Sequence, residues 1–165
     1  MVKIHFMPNL CTAANLMLGV GAIAAVMNCN FRLSVVLIIL AAAFDRVDGL
    51  VARRYDISSS FGKEFDSLAD LVSFGVAPSS LLYSSLNMQN PAGLACFAFF
   101  TLCGAFRLAR FNVLDNGSHF LGVPITAAGS ILAVAVFFIP NPTAVLALAF
   151  LLSLAMISTV KIPKI

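Results

Sequence analysis

Four stretches of this chain, Leu10–Met27, Leu71–Thr101, Leu121–Ile139 and Thr143–Val160, contain no Asp, Glu, Lys or Arg. A helix that crosses the hydrocarbon core of a bilayer needs about 17–25 predominantly apolar residues. Lipid offers no water to the backbone, so a spanning segment must satisfy its own N–H and C=O groups, as a helix does. The runs therefore predict an all-α, polytopic membrane protein. The polar breaks, including Asn87-Met88-Gln89-Asn90-Pro91 within the longest run, divide it into six candidate transmembrane helices, at about 9–28, 33–54, 63–86, 92–112, 121–139 and 143–160. The second and third are apolar only in the halves remote from their shared loop.

Composition closes off the soluble alternative. Only 10% of the 165 residues are charged and 61% are apolar, whereas a soluble domain carries about 25% charged residues. A chain this short leaves little for a second domain, so 1–165 is expected to be a single integral-membrane domain.

Charge sets the expected orientation. With six spans both termini share a side, and that side collects Lys3, Arg53, Arg54, Lys63, Arg107, Arg110, Lys161 and Lys164, against Arg32 alone on the other. The basic side, with both termini, is expected in the cytoplasm of a multi-pass cell-membrane protein. Lys3 precedes a span too long for the apolar core of a signal peptide, so the first segment is expected to be retained. The net charge of +3 is this juxtamembrane belt, whose natural neighbours are anionic lipids; nothing in it resembles a nucleic-acid patch. Cys11, Cys29, Cys96 and Cys103 lack CxxC spacing and read as small apolar residues. His5 and His119 are too few and too far apart to form a ligand set.

Against this background the carboxylates stand out. All seven acidic residues lie between Asp45 and Asp115. Asp45 follows twelve uncharged residues, Leu33–Phe44, which places it roughly 18 Å into the span at the helical rise. A charge at such depth costs about 2.5 kcal/mol or more, which makes an intramembrane carboxylate a functional candidate by default. Asp45 and Asp48 share one helical face, as do Asp66 and Asp70. In an antiparallel hairpin turning near Tyr55–Phe61, Asp45 falls level with Asp70 and Asp48 with Asp66. The four then form one cluster near the basic surface.

Four unpaired carboxylates cannot all remain ionised side by side. Arg46 and Arg53 could neutralise part of the charge, but Arg46 points about 100° away from the Asp45 face. Two divalent cations would neutralise it all, and hard oxygen ligands suit Mg²⁺ or Mn²⁺; a close pair of such ions is a common clamp for phosphoryl transfer. Small residues follow the same faces: Gly49 and Ala52 beside Asp45 and Asp48, then Gly62, Ser73 and Ala77 around Asp66 and Asp70. They leave room for a bulky anion or for close helix packing.

The run Asp45-Arg-Val-Asp48-Gly49-Leu-Val-Ala52-Arg53, then eight residues, then Gly62-Lys-Glu-Phe-Asp66-Ser-Leu-Ala-Asp70 resembles the signature of the CDP-alcohol phosphatidyltransferases, D-x2-D-G-x2-A-R-x8-G-x3-D-x3-D. Every fixed position and every spacing match. The resemblance extends along most of the chain and is greatest to the bacterial and archaeal phosphatidylserine synthases. It runs through Pro8-Asn9-Leu-Cys-Thr12-Ala-Ala-Asn15, Ser67–Pro78, Arg107-Leu-Ala-Arg110-Phe-Asn112 and Phe120-Leu-Gly122-Val-Pro124.

The resemblance implies a six-helix membrane fold, usually a homodimer, in which Asp45, Asp48 and Asp66 hold two divalent metals. Asp70 would join them or act as general base. Gly49, Ala52, Arg53 and Gly62 would line the nucleotide and diphosphate site, with Asn9, Thr12 and Asn15 as first-helix candidates. The implied reaction displaces CMP from a CDP-linked lipid, with a diacylglycerol or an archaeol tail, by the hydroxyl of an alcohol. With L-serine as the acceptor, Arg107, Arg110 and Asn112 are candidates for holding it, since Arg107 and Arg110 share a helical face and a serine carboxylate needs a cation. Glycerol 3-phosphate or inositol phosphate as acceptor is the sister alternative. An ion transporter with cargo-binding aspartates is the remote one, and no pair of interrupted segments in matching halves supports it.

Overall fold

The computed structural model describes residues 6–55, 60–85, 90–113, 119–158 and 161–163; the side chains at 6–9, 48, 50–55, 119–121 and 161–163 lie outside that description. Within it the chain forms six helices. They are α1 (Phe6–Met27), α2 (Phe31–Tyr55), α3 (60–85), α4 (Pro91–Val113), α5 (Ile125–Phe138) and α6 (Pro142–Ile157). The predicted number and order of helices hold, with ends shifted by a few residues. By length and composition α1 and α4 could each cross a membrane, whereas α5 and α6 are apolar but shorter.

The connection between α1 and α2 is three residues long. Asn30 N–H donates to Ala25 O at 2.8 Å and Cys29 N–H to Val26 O at 2.9 Å, with Cys29 at φ 56°. This is the Schellman closure, with cysteine at the left-handed position that glycine usually takes. Asn30 then caps the next helix by accepting from Leu33 N–H at 3.2 Å, so the two helices fold back tightly on each other.

The fifth predicted span, 121–139, starts later than expected. Gly122 is at φ +75°, and Pro124 restricts the residue before it to extended backbone, so α5 begins only at Ile125. The residues ahead of it form a short antiparallel pairing with the segment after α6: His119–Leu121 against Lys161–Pro163, with Phe120 opposite Ile162. The sixth helix starts at a conventional cap, where Asn141 Oδ1 accepts from Thr143 N–H at 3.0 Å.

The third helix occupies the middle of the bundle, packed against α1, α2, α4 and α5. It is not uniform. Ser60–Asp70 is α-helical, Leu71–Val76 is π-helical, and Ala77–Ser85 is α-helical again. The wide turn is closed by Ala77 N–H donating to Val72 O. Neighbouring helices approach it through glycines. A Cβ on Gly19 of α1 would collide with Ser73, and one on Gly129 of α5 would collide with the Phe74 carbonyl. Two small residues thus seat the widest part of α3 between two helices. Phe74 is fully buried there with Leu81, Phe100, Ile125 and Leu132.

Candidate active site

The last α-helical residue before the π turn is Asp70, which is buried. One carboxylate oxygen each from Asp45, Asp66 and Asp70 lies within 4.8 Å of the others. Asp45 comes from α2, Asp66 and Asp70 from successive turns of α3, and Asp45 and Asp66 are half-buried. The i, i+4 spacing on α3 and the fold-back of α2 bring the three to one point. Asp48 lies one turn beyond Asp45 on α2, but its side chain, like those of Asn9, Ala52 and Arg53, lies outside the described residues. Arg46 is exposed. Beside the cluster, an added Cβ at Gly49 would meet no atom within 4 Å, so there is open space on that side of α2. Gly62 lies in the first turn of α3, partly buried.

A third helix contributes to the cluster. Asn15 of α1 is fully buried and donates from Nδ2 to Asp70 Oδ1 at 3.1 Å. Its backbone carbonyl accepts from Ser73 Oγ at 3.0 Å. The first helix is therefore bonded to α3 on both sides of the start of the π turn. With Nδ2 committed to a carboxylate, the amide orientation is set, and Asn15 Oδ1 is left buried with no hydrogen-bond partner. Thr12, one turn earlier, is also buried. Asn15 is one of the first-helix candidates, and its partners are not legible in the sequence. The residues of each pair lie more than fifty positions apart in sequence, and nothing in the local pattern announces such a contact.

The fourth helix supplies the cation. Arg107 is 7% exposed; its charge attracts the Asp70 carboxylate, which Asp45 and Asp66 repel. Arg107 Nε is buried without a hydrogen-bond partner. Arg110, one turn on, is differently engaged: Nη1 donates to Ile157 O at 2.8 Å and Nη2 to Ser158 O at 3.1 Å. It satisfies carbonyls that the end of α6 would otherwise leave open and places a cation at that helix's negative pole. Asn112 Nδ2 donates to Ser67 Oγ at 3.0 Å, and Ser67 Oγ donates to Lys63 O at 3.1 Å, tying α4 to α3 beside Asp66. Lys63 Nζ lies 5.4 Å from the centroid of the Phe111 ring.

The donor set has a definite chemical character. Three carboxylates on rigid helices, with no thiol or imidazole in the group, form a hard-oxygen site that could hold a divalent cation.

Comparison with known proteins agrees with this geometry. The CDP-alcohol phosphatidyltransferase family profile matches residues 5–160. The chain is similar to a CDP-diacylglycerol–serine O-phosphatidyltransferase of Helicobacter pylori, at 37% identity over 98% of this chain and 73% of the relative. A protein of the same description from Methanocaldococcus jannaschii is 46% identical over 78% of this chain and 62% of its own length. The archaetidylserine synthase of Methanothermobacter thermautotrophicus is 36% identical over 96% of this chain and 70% of its own.

Proposed function

The chain belongs to the CDP-alcohol phosphatidyltransferase family, and from that premise we propose that it transfers the phosphatidyl group of a CDP-linked lipid to the hydroxyl of L-serine. The lipid is CDP-diacylglycerol or CDP-archaeol, and the products are a phosphatidylserine-type lipid and CMP. The observation that carries the reading is the convergence of Asp45, Asp66 and Asp70 at positions of the family signature. The names of the similar bacterial and archaeal enzymes support serine as the acceptor.

Asp45, Asp48, Asp66 and Asp70 would hold two divalent cations, Mg²⁺ or Mn²⁺. When bound, these would offset the charge of the diphosphate and of the departing CMP. Gly49, Ala52, Arg53 and Gly62 form the nucleotide side, where the open space beside Gly49 admits a bulky anion. Asp70 takes the proton of the serine hydroxyl as its oxygen bonds to phosphorus and the bond to CMP breaks. A carboxylate so buried, bonded to Asn15 and attracted by Arg107, is held in place to do so. Arg107 receives the serine carboxylate. Arg110 and Asn112, bonded to α6 and α3, keep that end of α4 in position.

The whole chain, 1–165, works as one multi-pass membrane domain and as a homodimer. Both termini and the site face the cytoplasm, which the distribution of basic residues supports. Acyl chains then stay in the bilayer while the nucleotide stays in water. The test is purified protein with CDP-diacylglycerol, Mg²⁺ or Mn²⁺, and a panel of serine, glycerol 3-phosphate and inositol phosphate, the lipid product identified by mass. A serine-bearing phospholipid and free CMP are expected; a phosphorylated-alcohol product instead would overturn the acceptor assignment.

A further inference from the structure

A second site lies at the opposite end of the helices. A cavity of about 260 Å³ opens between α2, α3 and α5, lined at its polar edge by Arg32 and Ser85 and otherwise by apolar side chains, Val35, Leu81, Val136 and Phe137 among them. Arg32 precedes Asp45 on α2 by thirteen residues and Ser85 follows Asp70 on α3 by fifteen. At the helical rise each polar group is roughly 20 Å from the acidic cluster.

Two features of this cavity call for a ligand. Among the described residues at this end, 27–36, 80–85, 90–96 and 131–146, there is no acidic side chain and Arg32 is the only basic one. A cation is thus placed where the described residues provide no counter-charge. Ser85 Oγ, in the same cavity wall, is buried with no hydrogen-bond partner, a costly state for a hydroxyl. On α2 and α3 the apolar lining continues one helical turn further in, Val35 from Arg32 and Leu81 from Ser85, while Phe31 and Phe137 share the outer end with the two polar groups. The cavity therefore sets a cation and an unanswered hydroxyl beside a larger apolar wall, the mixed character of a phospholipid at the edge of a leaflet.

We propose that this cavity binds a glycerophospholipid of the leaflet remote from the acidic cluster. The Arg32 guanidinium and the Ser85 hydroxyl donate to its phosphate oxygens, and the first carbons of an acyl chain cover Val35, Leu81, Val136 and Phe137. A small free anion would leave the apolar wall uncovered, and hydrocarbon alone would leave both donors unanswered.

The experiment uses delipidated full-length protein in maltoside detergent, with lipid retention read by native mass spectrometry and stability by thermal unfolding. Three probes separate the sources: dioleoylphosphatidylglycerol, dioleoylglycerol without phosphate, and glycerol phosphate without chains. Phosphatidylglycerol is expected to be retained and to raise Tm, and the other two are not. Arg32→Gln should weaken its retention by about tenfold or more, the loss expected for a hydrogen bond to a charged group, and Ser85→Ala by a smaller factor. Both variants should keep wild-type turnover of CDP-lipid, which verifies the fold. Asp66→Asn should retain phosphatidylglycerol as the wild type does, which separates this site from that of the lipid substrate. Equal retention by wild type and Arg32→Gln, equal retention of dioleoylglycerol, equal stabilisation by glycerol phosphate, or loss of retention in Asp66→Asn would each overturn the proposal.

Discussion

Replacing Asn15 by Leu tests whether the first helix helps to operate the site. Asn15 donates to Asp70 Oδ1 at 3.1 Å and is fully buried, so no solvent can take over its role. Leucine keeps the forked outline of asparagine without its donor; its methyl groups are bulkier, so the buried site must give slightly to take them. A hydrogen bond to an ionised group is worth about 1.5–3 kcal/mol, and every ~1.4 kcal/mol is tenfold. If Asp70 must be ionised and correctly turned to accept the serine proton, kcat should fall by roughly ten- to a hundredfold. The KM for CDP-lipid should stay within about threefold, because the diphosphate is held by other groups. Asn15→Asp, which sets another carboxylate against Asp70, should lose at least as much. The assay is release of CMP from CDP-diacylglycerol and serine in detergent micelles, with thermal unfolding as the check on folding. A folded Asn15→Leu protein with near wild-type kcat would show that Asp70 needs no support from α1, and the positioning argument would be wrong.

Three further outcomes follow from the same geometry. Asp45→Asn and Asp66→Asn should each abolish turnover while leaving folded protein, and chelation should stop the wild type until Mg²⁺ or Mn²⁺ is restored; full activity in chelator would exclude a metal role for the cluster. Asp70→Asn should still bind CDP-lipid in an equilibrium assay while transfer falls by about 10²-fold or more, and loss of binding would make Asp70 chiefly a ligand. Arg107→Lys should raise the KM for serine by roughly ten- to a hundredfold without changing that for CDP-lipid. Arg110→Lys should act mainly on Tm, because it disturbs the bonds to Ile157 and Ser158; a large serine KM effect from Arg110→Lys alone would reverse the two roles.

Much of the architecture could be read from charge alone. The runs without Asp, Glu, Lys or Arg located the helices, because a charge is costly in lipid and sequence reports its absence directly. The i, i+3 and i, i+4 spacing of the aspartates, with a fold-back between the pairs, was enough to anticipate Asp45 and Asp70 together. The π turn was not legible, since Leu71–Val76 has the same apolar character that an α-helix would have there; its width is answered by Gly19 and Gly129, far away in sequence. The different engagements of Arg107 and Arg110 were equally hidden. Side chains at i and i+3 share a face in any helix, and only the arrival of the end of α6 beside Arg110 distinguishes them.

The π turn also divides the third helix into two separately steerable parts. In an unbroken α-helix each residue is turned about 100° from the one before, so the heading of a side chain at one end dictates every heading at the other. A turn closed from Ala77 N–H to Val72 O takes in one residue more than an α turn and resets that compass. Asp66 and Asp70 lie before the reset, Leu81 and Ser85 after it. Were the same residues to run on as unbroken α, everything past Val76 would be swung by about 100°. Ser85 would leave the cavity edge while Asp70 kept its place beside Asn15. The extra residue is thereby what lets one helix aim its carboxylates at α1 and α2 and its far end at the cavity edge.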